Sequence, residues 1–454
     1  MRARGDILLI ACYEMGHQPL AVAWPAAFLE RASYQPAVLD LSVEPFDTER
    51  VRRARLVAIS VPMHTALRLG VRVAARVRET NPDAAIVFYG LYAVLNREYL
   101  LTHAGATAVL AGELEEELVA LVRRMERSDR DLIPATTPLQ KLAFPAPSRA
   151  ALPALKKYAH LDRGDGTDLV AYVEASRGCK HTCRHCPIPP VYGGRFFVVP
   201  VDVVLADIRQ QVAAGAAHVS FGDPDFLNGP GHALAVARAV HAAHPHLTFD
   251  FTAKIEHLLR HRERLPELAA LGCLFIVSAA ESLDDRVLGI LDKGHTGAQV
   301  VEALHATRAA GITLRPTWVA FTPWTTLESY RAWLDFVEAE DLLDAVDPVQ
   351  YGLRLLVPPG SLLLAHPEMQ RHLGPLIPDA FHFAWTHPDG RMEALQQAVS
   401  EAVAAAADRR EEATVTFHRV RTLADQAAGA APRPAPPAAT ARRRAPRLTE
   451  PWFC

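Results

Sequence analysis

Short apolar runs alternate with helical stretches along most of this 454-residue chain, and that alternation limits the folds open to it. Residues 7–11, 37–40, 56–60, 85–89 and 108–111 are such runs, the length and composition of parallel strands buried on both faces. Helical stretches separate them, including 67–80 and 113–127. Residues 5–126 are therefore predicted to form an α/β, doubly wound, Rossmann-like open sheet. A ligand of such a sheet sits beyond the carboxyl ends of its strands.

The alternation pauses over 127–165, a polar connector punctuated by Pro134, Pro138, Pro145, Pro147 and Pro153 and expected to wrap the surface between domains. It resumes over 166–360. Strands are predicted at 169–175, 217–222, 247–252, 273–278, 312–321 and 349–357, with helices between them. Six such units suit a partial (β/α)6 barrel, whose chemistry gathers at the strand carboxyl ends. Residues 361–427 carry a mainly helical pattern, clearest over 392–407. From 428 to 454 the composition falls to Ala, Pro and Arg, which cannot bury a core, so a disordered tail is expected.

Directly after the apolar run 169–173 stands Arg177-Gly178-Cys179-Lys180-His181-Thr182-Cys183-Arg184-His185-Cys186. Three thiolates in one compact loop suit a soft metal centre and can leave one iron of a cubic cluster without a protein ligand. A zinc site of three cysteines with His181 or His185 is the alternative. No second Cys-x2-Cys pair is available to complete an ordinary zinc module. The remaining cysteines, Cys12, Cys273 and Cys454, are isolated; the first two lie in apolar runs and read as small core residues.

The spacing Cys-x3-Cys-x2-Cys, with a ring at His185, resembles the signature of the radical S-adenosylmethionine superfamily. Phe221-Gly222-Asp223-Pro224-Asp225, Ser278-Ala279-Ala280-Glu281-Ser282 and Leu291-Asp292-Lys293-Gly294-His295-Thr296 resemble that family's later strand ends. The resemblance implies that Cys179, Cys183 and Cys186 hold a 4Fe-4S cluster whose fourth iron is chelated by S-adenosylmethionine. It also implies reductive cleavage of that molecule to a 5′-deoxyadenosyl radical. Gly222 and Asp223 stand where the family holds the methionine amino group. Glu281 stands where it contacts ribose or methionine, and Trp324 where it contacts adenine. Lys254, Lys293 and His295 are further candidates for the barrel mouth.

The N-terminal unit is similar to the cobalamin-binding domains found ahead of many such barrels. It departs from them in two places. The Asp-x-His-x-x-Gly motif is replaced by Tyr13-Glu14-Met15-Gly16-His17, and the Gly-Gly after the fourth strand by Gly90-Leu91-Tyr92-Ala93. Cobalamin is thus a candidate third cofactor, expected near His17, His64 and Gly90 without a histidine on cobalt. The function expected is modification of a small-molecule or peptide substrate, methylation included, with electrons from a donor such as flavodoxin or ferredoxin. The alternative is a non-catalytic iron–sulfur or zinc protein acting as electron carrier or scaffold.

A formal net charge of −3 creates no field favouring nucleic acid or an anionic membrane, and nucleic acid is not expected as a partner. A tRNA methylthiotransferase is disfavoured, because the N-terminal unit lacks its own cysteine triplet. The first residues are too short an apolar stretch for a signal or a membrane span, so a cytoplasmic protein is expected. The last residues, Leu448-Thr449-Glu450-Pro451-Trp452-Phe453-Cys454, resemble the tail of a radical S-adenosylmethionine family ending in Cys-Sec-Ala-Glu-Pro or Cys-Cys-Ala-Glu-Pro, which implies a selenoprotein truncated at Cys454.

Overall fold

The structure, a computed structural model, describes residues 1–127, 137–164, 166–431, 433 and 445–449. The N-terminal sheet contains β1 (Ile7–Ala11), β2 (Ala37–Asp40), β3 (Leu56–Ser60), β4 (Ala85–Tyr89) and β5 (Ala108–Leu110), all parallel, in the order β2-β1-β3-β4-β5. Nearly every strand residue is buried, as continuous apolar runs require when helices cover both faces. The strand order reverses between β1 and β3, which places the crevice for a ligand at their carboxyl ends.

The second sheet is built on five parallel strands. These are β7 (Thr167–Val173), β10 (His218–Phe221), β11 (Thr248–Thr252), β12 (Cys273–Glu281) and β13 (Thr313–Trp318), paired in sequence order with a helical connection after each. The sixth strand expected at 349–357 is not formed. Pro348–Gly352 is a short 3-10 helix, and the parallel pairing survives as one isolated bridge between Phe321 and Arg354. Pro348 has no N–H to give a ladder, and Gly352 weakens any strand that contains it. The barrel is therefore a half-barrel of five rungs.

On the opposite edge, β6 (His160–Asp162) runs antiparallel to β7, and β16 (Arg447–Leu448) pairs antiparallel with β6. Part of the tail expected to be disordered thus returns to cover an edge with unpaired backbone groups. Cys454 lies outside the described residues. The connector also differs from a surface strap: Leu142 and Phe144 are buried, with Phe144 edge-on to both Trp24 and Phe28. Arg149, also buried, donates to both oxygens of Asp207, to Gln18 Oε1 and to the Tyr172 carbonyl. One apolar core consequently runs from Leu9 and Val87 of the first sheet through Trp24 and Phe144 to Val219 and Ile276 of the second.

The C-terminal region contains the expected long helix (Gly390–Asp408), a second helix (Ala413–Ala427) and an unforeseen hairpin of β14 (Leu373–Ile377) and β15 (His382–Trp385). Between these strands Phe381 is buried in the core of the N-terminal domain, edge-on to Tyr99. Among the described residues no helix is long and apolar enough to cross a membrane.

Candidate functional site

The cysteine segment is a loop tied off at its base. β8 (Ser176–Gly178) and β9 (Phe196–Val198) pair antiparallel, Gly178 opposite Phe196, so residues 179–195 project as one unit beyond the carboxyl end of β7. Gly178 has φ +73°, and a Cβ there would lie 2.5 Å from the Arg195 carbonyl oxygen and 2.6 Å from the Tyr192 ring. Glycine is required on both counts. The loop docks on the helix Asp285–Leu291, where the Arg184 backbone N–H donates to the Leu291 carbonyl and its guanidinium to those of Gly289 and Ile290.

Cys179 and Cys183 are buried and Cys186 is half-buried. Burial pushes the Cys186 thiol up to about 12 and raises that of Cys179, with the neighbouring cysteines adding to both. Two thiols that resist ionisation alone, with a third cysteine in the same loop, are a donor set that a bound cation ionises. Around the loop, Asn228 Nδ2, His185 Nδ1 and His295 Nδ1 are buried without a protein partner. Asn228 stands closest, its Oδ1 3.8 Å from Cys179 Sγ and accepting the Lys180 backbone N–H at 3.2 Å. Buried donors and acceptors left open in this way fit a cluster with its bound ligand.

The acidic candidates are committed to the protein. Asp223 accepts the Ala175 backbone N–H at 2.9 Å and the Ser176 hydroxyl at 2.5 Å, and burial pushes its carboxyl up to about 7. It fastens the turn between β7 and β8. Gly222 is as tightly placed, since a Cβ would come 2.4 Å from the Tyr172 hydroxyl. Glu281 ends β12 with φ +65° and accepts from Lys293 Nζ at 3.2 Å and His185 Nε2 at 3.1 Å. Burial opposes its charge, yet Lys293 and His185 hold its carboxyl well below the usual range. His295 faces the Ala280 carbonyl, and burial with nearby Lys293 lowers it to about 4. Trp324 is buried in an apolar cluster with Val287, Leu291 and Leu355, away from any open face.

On the β11 side, hydrogen bonds join Lys254 Nζ to His181 Nδ1 (3.1 Å) and His181 Nε2 to His257 Nε2 (3.2 Å). His257 Nδ1 in turn lies 2.8 Å from Asp225 Oδ2. Asp225, His257 and Asn228 were not singled out from sequence, although Asp225 follows Asp223 by two residues and Asn228 by five.

Between the domains lies a cavity of about 230 Å³, lined from one side by Pro62, Met63 and Gly90 and from the other by Tyr172, Arg177 and Gly222. Arg177 crosses the boundary to Glu115 at 2.6 Å and Glu113 at 3.7 Å, and meets Glu174 of its own domain at 3.0 Å. Glu14 also lines it, and burial, reinforced by Glu174, pushes its carboxyl up to about 8. Of the three cobalamin candidates, only Gly90 reaches this space. His17 is buried with its ring stacked on Tyr172 at 4.4 Å, and His64 Nε2 is 2.8 Å from the Ala380 carbonyl under the C-terminal hairpin. The position is that of a ligand of the first sheet.

Comparison with known proteins agrees with this architecture. The Radical SAM superfamily profile matches residues 173–323 and the B12 binding domain profile residues 7–122. The solved cobalamin-dependent S-adenosylmethionine radical enzyme OxsB has TM-score 0.68 at 15% identity, covering 88% of this chain and 67% of that one. The radical S-adenosylmethionine methyltransferase TsrM from Kitasatospora setae has TM-score 0.60 at 18% identity, with 74% and 71% covered. At these identities the likeness is one of fold. The ribosomal protein uS12 methylthiotransferase RimO of Alkalilimnicola ehrlichii is 27% identical over 189 residues, 38% of this chain, and the chain spans only 42% of that relative's length. The chain thus carries a radical S-adenosylmethionine superfamily domain over residues 173–323 behind a B12-binding domain over residues 7–122.

Proposed function

We propose that this chain is an enzyme that modifies a small-molecule or peptide substrate by a radical route, with methyl transfer as the class of outcome. The observation that carries this reading is the cysteine loop itself. Its three cysteines lie in one loop beyond the carboxyl end of a five-stranded parallel half-barrel, among buried polar atoms that the protein leaves unpartnered. When bound there, a 4Fe-4S cluster and S-adenosylmethionine supply a 5′-deoxyadenosyl radical. The residues of the chain hold that chemistry in place.

Asp223, through Ser176 and Ala175, fixes where the loop leaves β7. Glu281 and Lys293 hold the ring of His185 beside Cys186. Asn228 presents an open amide next to Cys179. Since both oxygens of Asp223 are occupied, its role in this proposal is to shape the loop rather than to meet the methionine ammonium. Trp324, packed in its cluster, has no part at the adenine. Methyl transfer is supported by the methyltransferase and methylthiotransferase relatives and by the B12 binding domain match. Cobalamin enters as the candidate ligand of the cavity between the domains, supported by the B12 binding domain match. A flavodoxin or ferredoxin is the proposed electron donor.

The test is anaerobic reconstitution followed by reduction in the presence of S-adenosylmethionine. About four irons and four sulfides per chain and formation of 5′-deoxyadenosine are expected, both lost when Cys179, Cys183 and Cys186 are replaced by alanine. A full cluster that yields no 5′-deoxyadenosine would defeat the proposal. Tight zinc in place of iron would favour the scaffold alternative.

A further inference from the structure

Three segments far apart in sequence bring His181, Asp225 and His257 together beside the cysteine loop, and the proposed chemistry uses none of them. His181 belongs to the loop itself, Asp225 follows β10, and His257 lies in the helix Ile255–Arg260 that follows β11. Each offers one ligand atom, and these atoms all lie within 4.8 Å of one another.

The two imidazoles point Nε2 at Nε2 across 3.2 Å. Two nitrogens bound to one zinc at ~2.0–2.1 Å and a tetrahedral angle lie about 3.3 Å apart. Behind His257, Asp225 is fully buried with Oδ2 2.8 Å from Nδ1. The two do not meet in hydrogen-bond geometry, but a carboxylate this close favours the ring proton on Nδ1 and so leaves the lone pair on Nε2, facing His181. This is the arrangement that orients and strengthens a metal-binding histidine. The charges nearby are the carboxylates of Asp225 and Glu256, the ammonium of Lys254 and the guanidinium of Arg260, which pairs with Glu256.

We propose that His181 and His257 hold a divalent first-row transition ion, zinc or ferrous iron, through their Nε2 atoms. Asp225 is the carboxylate behind His257, and further coordination positions are left for water or substrate. Lys254 opposes loading. Its Nζ is 3.1 Å from His181 Nδ1, and donating there keeps the His181 proton on Nε2. Glu256 Oε2 lies 3.7 Å from Lys254 Nζ and 3.9 Å from His181 Nδ1. On loading, the Lys254 ammonium moves to Glu256, the His181 proton passes from Nε2 to Nδ1, and Nε2 is freed for the ion. No net proton is gained or lost.

The test uses full-length protein with its cluster reconstituted, so that iron already occupies the cysteines. After equilibrium dialysis against zinc, iron and zinc are counted separately by mass spectrometry. A single added zinc per chain at unchanged iron is expected, with only nitrogen and oxygen ligands in its X-ray absorption spectrum. His257→Gln should weaken zinc binding at least tenfold while iron is retained, and Lys254→Met should tighten it. Failure of the wild-type protein to retain zinc, sulfur in the zinc shell, or zinc binding unchanged by His257→Gln would each overturn the proposal and leave a plain N–H···N hydrogen bond. If His257→Gln also loses iron, the ligand set seen in the wild-type spectrum decides. Because the readout is zinc on a preformed cluster, it stands or falls separately from 5′-deoxyadenosine formation.

Discussion

Arg177 and Glu115 hold each other at 2.6 Å across the seam between the two domains, two residues before the first cluster cysteine. The same guanidinium reaches Glu174 and Glu113 and lies over the rings of Phe144 and Trp24. The start of the cysteine loop is thereby tied to the N-terminal domain. Arg177→Met leaves three carboxylates of the seam without their cation, and breaking a buried pair by removing one partner costs about 3–5 kcal/mol. The denaturation midpoint should fall, and the iron retained after reconstitution should fall with it. An unchanged midpoint would show that the seam does not depend on this residue.

Asn228 Oδ1 lies 3.8 Å from Cys179 Sγ, and the Nδ2 of the same amide is buried without a partner. Hydrogen bonds to cluster sulfur stabilise the reduced, more negative state and raise the potential. In Asn228→Leu the iron content should be retained while the cluster midpoint potential becomes more negative, read by redox titration. Equal potentials in the two proteins would place the amide out of reach of the cluster.

Gly222 is confined by the Tyr172 hydroxyl, the ring of which also carries His17. The Cβ of Gly222→Ala would meet that hydroxyl at 2.4 Å, so Tyr172 has to move and lose its stacking. Overpacking of this kind costs about 1–3 kcal/mol. Chemical denaturation checks the loss, and because ring carbon Cζ would also lie at 2.4 Å, a double variant with Tyr172→Phe should not recover it.

Glu14 accepts the backbone N–H groups of Leu20 and Ala21 inside the seam, with its carboxyl pushed up to about 8 by burial and then by Glu174. In the unfolded chain a glutamate ionises near ~4.3. Between these values the folded protein keeps a proton that the unfolded chain has released, so stability falls as pH rises and levels off above about 8. Glu14→Gln removes that cost and still offers one acceptor. Its melting temperature should exceed that of the wild type in mildly alkaline buffer and approach it in mildly acidic buffer. A pH-independent difference would contradict the assignment.

His17 and His64 are both engaged away from the interdomain cavity, against Tyr172 and the Ala380 carbonyl. Any hydroxocobalamin retained through gel filtration should therefore show the spectrum of a corrinoid without a histidine ligand. A histidine-ligated spectrum, by optical or paramagnetic resonance measurement, would be the contrary outcome.

Local patterns in the chain were enough to locate most of the fold. Continuous apolar runs of four or five residues predict all five strands of the first sheet, because a strand covered on both faces admits few polar residues. The cysteine spacing marks the loop, because a shared metal demands donors a few residues apart. The sixth barrel strand was misplaced because apolar content alone does not separate a strand from a 3-10 turn when Pro348 and Gly352 interrupt the backbone pairing. What the residues around the cysteines do was decided by tertiary structure. Asp223 and Glu281 stand at strand ends as expected, yet Asp223 is engaged by Ser176 and one oxygen of Glu281 by Lys293 and His185, partners 12 to 96 residues away. Trp324 packs in an apolar cluster, His17 on the ring of Tyr172 and His64 against the Ala380 carbonyl, placements that come from tertiary packing. No local pattern announces the Arg177–Glu115 lock, the return of β16 to β6 or the meeting of His181 with His257, since each depends on segments that only the packed chain brings within a few ångströms.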